Sequence, residues 1–531
     1  MTSVDTNALL ATALRHHQAG ELQDAAALYR EVLAHDPQQP DAWHLLGLIA
    51  QASGDLAAAE ERIRRALAAR PDEAVFHYNL ANVLRAAGRR GEAIAAYRAA
   101  RAVRPDDADT LLNLGAALAE HGDPHAALEV YRELLALAPG HVAALLNRAA
   151  VQRTLGRRNE AAASYREALA QDDQAVDAHL GLGLLAQERG DYDAARRHYQ
   201  AALATGPECA EAWNNLGTWH QERGEHEAAR DCYRRALAID PDDAEAHNNL
   251  GTLHAGADRL TEAEHHYRAA IAARPGLAEA HKNLGAVLAV RGRTDEARTS
   301  YAEALRLNPA LAEAAFKLAA LDGVTPASAP GEYVAALFDG YAADYDRHLT
   351  GTLEYRVPER LAAWLGELGL PDDLAVVDLG CGTGLSGAAL RPWARTLVGI
   401  DLAPRMLERA RARGLYTRLV QGDLVRALDS EAGPFDLAVA ADVFVYLGDL
   451  ASLAAAVQRV LRPGGWLAFS VESAAAAGFR LQPTGRYAHA PGYIETVFAA
   501  RGFGAPRRRE LVLRVEQGRP VAGMLWCWQR Q

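Results

Sequence analysis

The sequence predicts an all-α array of helical hairpins followed by an α/β doubly wound domain, whose mostly parallel seven-stranded sheet ends in an antiparallel hairpin. Three observations carry that prediction. Prolines, tyrosines and alanines recur on a 34-residue grid through residues 6–311, and five short apolar runs alternate with helical stretches after it. Two terminal runs rich in strand-forming residues then follow each other across a short turn.

The grid is strict. Pro37, Pro71, Pro105, Pro139, Pro207, Pro241, Pro275 and Pro309 fall on it, with Asp173 at the one missing node. Alanine occupies every node from Ala25 to Ala297, and tyrosine occupies most nodes from Tyr29 to Tyr301. Glycine recurs from Gly20 to Gly292, broken only at Asp258. Each unit therefore reads as helix, glycine turn, helix, proline stop, with the alanine where two helices approach closely.

The segment "AWNNLGTWHQERGEHEAARDCYRRALAIDP" (212–241) resembles the tetratricopeptide repeat in its Trp, Leu-Gly, Ala, Tyr and Pro signposts. On that resemblance the chain holds nine repeats, 6–311, in an all-α superhelix. "AEAAFKLAAL" (312–321) is expected as a closing helix that shields the last repeat. Residues 1–322 carry 34 Lys and Arg against 46 Asp and Glu, and 323–531 carry 22 of each. An acidic array repels phosphate backbones, so nucleic acid is not expected as a partner.

Composition sets further bounds. A chain of 531 residues, 50% hydrophobic and 23% charged, suffices for several domains. Cys209, Cys232, Cys381 and Cys527 lack metal or disulfide spacing, so no metal is expected. His121 and His125 straddle a turn and share no helix face. No apolar run has the length of a membrane span, and the first residues lack a basic start followed by an apolar stretch. No membrane association and a cytoplasmic location are the expectations.

"DGVTPASAPGE" (322–332) has linker composition, which places the junction at 323–331 between an array of 1–322 and a second domain of 332–531. Five strands are expected at 374–380, 396–402, 417–423, 435–442 and 465–472. "RRRELVLRVE" and "PVAGMLWCWQR" leave no room for a crossover helix and predict the antiparallel pair.

"VVDLGCGTGLSG" (376–387) ends the first strand in an acid and three glycines, Gly380, Gly382 and Gly384. The glycines suit close approach of an adenosine cofactor in general. Asp378 narrows the choice: an anion there would repel a pyrophosphate and suit S-adenosylmethionine, which carries a sulfonium and an ammonium. Asp401 closes the second strand, placed for both ribose hydroxyls, and Asp423 closes the third, placed for the adenine amino group. Each aspartate alone reads equally well as a helix cap.

"DLGCGTG", "GIDLAPRML", "GDL", "FDLAVAADVFVYL" and "RVLRPGGWLAFS" resemble the successive motifs of class I S-adenosylmethionine-dependent methyltransferases, which have a Rossmann-like fold. The lead-in "LFDGYAADYDRHLTGTLEYRVPERL" and the segment "TGRYAHAPGYIETVFAARGF" resemble bacterial predicted methyltransferases that carry tetratricopeptide repeats. The resemblance implies that Asp378, Gly380, Gly382 and Gly384 cradle the methionine part and Asp401 the ribose, that Met406 and Leu424 flank the adenine near Asp423, and that Cys381 and Leu402 also belong to the cofactor site. It implies that Tyr341 and Tyr345 fold over the cofactor. It also implies methyl transfer (EC 2.1.1.-) with S-adenosylhomocysteine as product. In-line displacement requires no dedicated base; if one is used, His489, Tyr487 and Asp442 are the candidates.

The stretch after the fourth strand, "AADVFVYL", lacks the Asn/Asp-Pro-Pro-aromatic signature of many amino-group methyltransferases acting on nucleic acid or glutamine. A small molecule or a protein side chain remains as acceptor. Asn79, Asn113, Asn147, Asn215, Asn249 and Asn283 share one grid position and resemble the asparagine ladder of O-linked N-acetylglucosamine transferase, which implies a protein or peptide partner in the groove. The ladder is broken by Ala11, Leu45 and Gly181. Two alternatives stand beside an active, repeat-guided enzyme. One is a scaffold whose second domain senses the cofactor without turnover; the other is a small-molecule methyltransferase that uses its repeats for assembly.

Overall fold

The computed structural model describes residues 5–342, 345–431, 433–516 and 518–531. It divides into two compact units, Met1–Pro241 and Asp242–Gln531. Among the described residues the first unit is built of seven helical hairpins, from Thr6–Gln18 with Leu22–His35 to Ala210–Glu222 with His226–Ile239. The turn glycines explain the regularity: Gly20 to Gly224 all take φ between 71° and 88°, a left-handed backbone that a side chain disfavours. Inside three of these hairpins the grid tyrosine fills the space left by a glycine of the first helix. A Cβ at Gly217 would come within 2.6 Å of the Tyr233 ring, and one at Gly115 within 2.5 Å of Tyr131.

The second unit opens with two more hairpins, Ala244–Gly256 with Leu260–Ala273 and Ala278–Val290 with Thr294–Leu307. Asp258, at the node where glycine is missing, still adopts φ 58°, so the turn geometry persists without its usual residue. Helix Ala312–Asp322 follows, stopped by Gly323 in a left-handed conformation. One face of it places Ala314 among Leu288, Tyr301 and Ala304, covering the last hairpin. Its other face packs Phe316 and Ala320 against Ala329, Tyr333, Val334, Leu481 and Tyr487.

The rest of this unit is an α/β fold around one sheet. Its strands are β1 (Leu374–Leu379), β2 (Ala394–Asp401), β3 (Arg418–Gln421), β4 (Phe435–Ala440), β5 (Leu461–Ser473), β6 (Phe479–Leu481), β7 (Tyr487–His489), β8 (Arg507–Glu516) and β9 (Arg519–Gln529). β3, β2, β1, β4 and β5 lie side by side and parallel. β9 runs antiparallel to β5 and β8 antiparallel to β9, as the terminal runs predict. The sheet has two strands beyond the expected seven. Where β4 ends at Ala440, opposite Phe469, β7 takes up parallel pairing with Glu472 and Ser473, and β6 pairs with β7. At three residues each they are too short to leave a periodic signature.

Both faces of the sheet are covered, so the central strands are continuously apolar. Val377, Leu379, Ile400, Phe469, Trp526 and Trp528 enter one core, and Val376, Leu397, Leu437, Val439 and Leu525 the other. From β1 the chain winds outward through β2 and β3, then returns to β4 on the other side. That reversal opens a crevice at the carboxyl ends of β1 and β4.

Candidate active site

A cavity occupies that crevice, and each strand end delivers a different kind of wall. After β1 the three glycines serve three purposes. Gly380, at φ 69°, has no room for a Cβ, which would lie 2.5 Å from Val443. Gly382, at φ 53°, borders the cavity with open space where a Cβ would stand. Gly384, at φ 93°, starts helix Leu385–Leu390 and packs on Arg413 and Tyr416, so it supports the loop without lining the cavity. Cys381 is also absent from the wall: its buried sulfur lies where a Cβ on Gly399 would come within 2.9 Å of it.

After β2, Asp401 and Leu402 line the cavity, with Met406 buried behind them. The Asp401 carboxylate holds the glycine loop: Oδ2 accepts from the Gly382 N–H at 2.8 Å and Oδ1 from the Ala403 N–H at 2.9 Å. Burial pushes its carboxyl above the usual range, against the pull of those backbone donors. After β3, Asp423 and Leu424 line the cavity. Asp423 is also a helix cap, its Oδ1 accepting from the N–H groups of Val425 and Arg426 at 3.1 and 3.2 Å.

Asp378 corrects the expectation of an acid at the mouth of the loop. It is fully buried, it is not part of the cavity wall, and Tyr416 donates its hydroxyl to Oδ2 at 2.6 Å. Its Oδ1 is buried with no hydrogen-bond partner. Burial raises this carboxyl to about 7 despite the Tyr416 hydrogen bond. The reason lies in the tertiary structure: Tyr416, between the helix after β2 and β3, covers the β1 end from the side.

After β4, Ala441, Asp442 and Val443 line the cavity, then Tyr446 and Leu447 of a short helical turn. Asp442 adopts φ 60°, a left-handed backbone uncommon outside glycine. Its carboxylate receives Arg514 Nη1 at 3.0 Å. Tyr345 lines the cavity with Phe338 beside it; the side chain of Tyr341 lies outside the described residues.

The other two candidate bases do not reach the cavity. Tyr487 is buried and donates its hydroxyl to the Pro326 carbonyl at 2.9 Å. His489 is buried with Nε2 donating to the Gly448 carbonyl at 3.1 Å, and burial pushes its imidazole down to about 4. Both belong to the short strand β7, whose packing under residues 326 and 448 encloses them.

Two features carried no sequence signal. The first is the stretch 323–331, which is held rather than loose. Thr325 Oγ1 accepts from the Leu481 N–H at 3.3 Å. The Ala327 carbonyl accepts from the Gly448 and Asp449 N–H groups at 2.9 and 2.8 Å, and the Ala329 N–H donates to the Tyr446 carbonyl at 3.0 Å. Ser328, Ala329 and Gly331 thereby become cavity wall. These are backbone contacts of small residues, which composition reads only as linker.

The second feature is a buried ionic cluster. Arg514 bonds Asp442, Glu472 and Glu516, and Arg486 bonds Glu516 at 2.5 Å. Arg514 faces inward because β8 bulges between Val512 and Arg514, which breaks the alternation that would have exposed it.

The asparagine column is half-buried at all six positions, Asn79, Asn113, Asn147, Asn215, Asn249 and Asn283. Several of its amides are used between neighbouring repeats. In the first unit Asn79 Nδ2 donates to His44 at 2.8 Å and Asn113 Nδ2 to Tyr78 at 2.9 Å; in the second, Asn283 Nδ2 donates to Asn248 at 3.0 Å. The Nδ2 of Asn215 is buried without a partner. Among the described residues, His16, Glu21 and Asp24 bring three metal-ligand atom types within 4.8 Å of one another, but on exposed helix ends where the His16–Glu21 contact already accounts for the approach. No helix among the described residues is long and apolar enough to cross a membrane.

Comparison with known proteins bears on both parts. A family model described as a methyltransferase domain matches residues 376–465. Two models described as tetratricopeptide repeats match 16–83 and 78–142, and the C-terminal domain of cilia and flagella-associated protein 70 matches 136–336. Methyltransferase-like protein 27 of Homo sapiens is 42% identical over 103 residues, covering 19% of this chain and 42% of that protein. Ubiquinone biosynthesis O-methyltransferase of Thiobacillus denitrificans is 36% identical over 115 residues, covering 21% and 49%. The chain thus spans about half the length, or less, of these curated relatives. A tetratricopeptide repeat protein from Parabacteroides merdae aligns at 20% identity with a TM-score of 0.42, covering 47% of this chain and 99% of that one. The chain thus carries tetratricopeptide repeats followed by a methyltransferase domain.

Proposed function

We propose that the chain is an S-adenosylmethionine-dependent methyltransferase whose cofactor binds in the β1–β4 cavity, and whose repeats hold a protein or peptide partner. The charge of the cavity wall carries this reading. Asp401, Asp423 and Asp442 line it, and no Lys, Arg or His does so among the described residues. Three carboxylates suit a ligand with a sulfonium and an ammonium and oppose a dinucleotide's pyrophosphate. The open space beside Gly382 suits close approach of the ligand to the loop. Asp401 accepts backbone N–H groups at both oxygens and, as a carboxylate with about four acceptor sites, can also accept from ribose hydroxyls. Met406 and Leu424 supply the flat apolar contact that adenine needs.

On this reading Gly380, Gly382, Asp401, Leu402, Met406, Asp423, Leu424 and Tyr345 touch the cofactor. Asp378 acts from behind the loop, and Cys381 and Gly384 shape it. The array occupies 1–322, the docked stretch 323–331 joins it to the enzyme at 332–531, and the protein works in the cytoplasm. When bound, the cofactor supplies an electrophilic methyl group; the chain's own part is to hold the acceptor in line with it and keep water out.

Asp401→Ala tests the cofactor site. Each hydrogen bond lost at a charged acceptor costs ~1.5–3 kcal/mol, so calorimetry is expected to show S-adenosylmethionine binding weakened about tenfold or more. Unchanged affinity removes Asp401 from the site. Turnover is tested with methyl-labelled cofactor and fractionated lysate: label entering protein or a small molecule supports an enzyme, and binding without any labelled product supports a sensor. A second reading, repeats used for assembly alone, is favoured by the asparagine amides already engaged between repeats. Joint substitution of Asn215, Asn249 and Asn283 by Ala decides between the two: loss of a captured protein partner at constant cofactor affinity supports the groove, and undiminished capture supports assembly.

A further inference from the structure

The ionic cluster behind the cavity has no role in the fold that an apolar cluster would not fill better. Arg514 and Glu472 are almost fully buried, and Asp442 and Glu516 are largely so. Removing such ions from water costs several kcal/mol each, which well-packed apolar side chains would not incur. The cluster gathers residues from four places: the β4 end, the β5 end, the β6–β7 connection and the β8 bulge. Asp442 is its one charged member in the cavity wall among the described residues.

Charge counting gives the cluster a sign. Two guanidinium groups, Arg486 and Arg514, face three carboxylates, Asp442, Glu472 and Glu516. Arg514 bonds all three acids, and Arg486 bonds Glu516 and lies 3.8 Å from Glu472. The cluster as a whole carries one negative charge in excess, and among the described residues Asp442 is the acid through which it reaches the cavity wall. The phenols of Tyr345 and Tyr446 share that wall and, like the carboxylates, offer lone pairs to a donor. Burial holds the Asp442 carboxyl above its ordinary range, so it is a better proton acceptor than an exposed carboxylate.

The ends of β1, β2 and β3 are taken by the cofactor in the reading proposed above, on which this step rests. The β4 end is then the wall left for the methyl acceptor. We infer that the acceptor is an aliphatic amine, which enters as an ammonium and is held by Asp442. A carboxylate acceptor would meet an acidic wall that, among the described residues, holds no Lys, Arg or His to receive it. The ammonium gives one proton to the Asp442 carboxylate. The freed nitrogen lone pair then forms the bond to the methyl carbon, while the carbon–sulfur bond breaks and leaves its electron pair on a neutral thioether sulfur. The product is a methylated ammonium, and total charge is conserved. An aliphatic amine is nucleophilic once deprotonated, so the Asn/Asp-Pro-Pro-aromatic signature missing after β4 is not needed for it.

Two cofactor analogues test this on the full-length protein. Sinefungin carries an amino group where the sulfonium methyl stands, and S-adenosylhomocysteine carries nothing there. Calorimetry on the wild type is expected to show sinefungin bound about tenfold more tightly. Asp442→Asn, whose amide tolerates the left-handed backbone equally well, is expected to reduce the preference to within about threefold while S-adenosylhomocysteine still binds. A wild type that binds both analogues equally overturns the inference without reference to any variant. So does a preference that survives Asp442→Asn. If the wild type binds neither analogue, the cofactor reading itself fails, and the inference falls with it.

Discussion

The helical hairpins and the α/β fold solve the problem of burial in opposite ways. In a hairpin the groups that meet are near in sequence and recur from unit to unit: in several, a grid tyrosine against a glycine sixteen residues before it, and throughout, alanines where helices cross. Charged side chains other than Glu264 stay outside or half-exposed, many in local pairs such as Arg64–Glu60 and Arg306–Glu303. In the α/β fold the important polar contacts join distant segments. Tyr416 reaches Asp378 across 38 residues, and Arg514 reaches Asp442 across 72. Stability in the hairpins is therefore divided into small local shares, whereas the α/β fold concentrates buried charge at the ends of its strands, where chemistry is expected.

The largest test of that contrast is to empty one core position in each region. Trp526 is fully buried and stacks with Trp528 and Phe469. Trp526→Ala is expected to cost ~3–5 kcal/mol and to melt the α/β fold as a whole. Tyr131→Ala removes a buried ring of the grid. It is expected to raise hydrogen exchange in its own hairpin and the adjoining helices, with distant hairpins still protected. Uniform loss of protection throughout the array would contradict the local division of stability.

A smaller effect separates the regions by pH. The Asp378 carboxyl is raised to about 7 in the folded protein, from 3.8 for an ordinary aspartate, so between those values the folded state holds a proton that the unfolded state has lost. Its contribution is fully present below about pH 4 and is lost as pH rises through 7. His489, lowered to about 4, acts in the other sense between about pH 4 and 6.5, when the unfolded chain binds the extra proton. Comparing Asp378→Asn with the wild type cancels the histidine. From pH 5 to 8 the difference in unfolding free energy is expected to move in favour of the variant by about 2 kcal/mol. A constant difference would show that Asp378 ionises freely when folded.

Smaller again is the asparagine tie. Asn283→Ala removes the bond to Asn248 and is expected to cost ~1 kcal/mol, seen as faster exchange in helix Ala278–Val290. The smallest effect belongs to the exposed pairs: Arg306→Ala is expected to leave the melting temperature unchanged within error, with or without added salt. A clear drop would mean that the surface charges hold the array together.

Much of the site was legible because it depends on where a strand ends. Gly380, Gly382, Asp401, Leu402, Met406, Asp423 and Leu424 follow strand ends recognisable from apolar runs, and they meet in one cavity because parallel strands bring their carboxyl ends together. Asp442 was legible for the same reason. His489 and Tyr487 misled because they sit on a three-residue strand that has no pattern of its own, and their enclosure depends on the segment laid over it.

The sequence by itself determined the hairpins, their turns, the five strands and terminal antiparallel pair of a doubly wound sheet, and the chemical character of the glycine loop. All of these follow from a residue's relation to neighbours a few positions away, through helical and strand periodicity and through the left-handed backbone that Gly20 to Gly224 permit. Only the tertiary structure decided that Asp378 is sealed under Tyr416, that a bulge turns Arg514 inward, and that 325–329 is bound to the backbone of the α/β fold to complete the cavity wall. Burial and ion pairing depend on which distant element packs over a group. A chain's local periodicity carries no record of that choice, so the residues whose chemistry depends most on burial are those read least well from sequence.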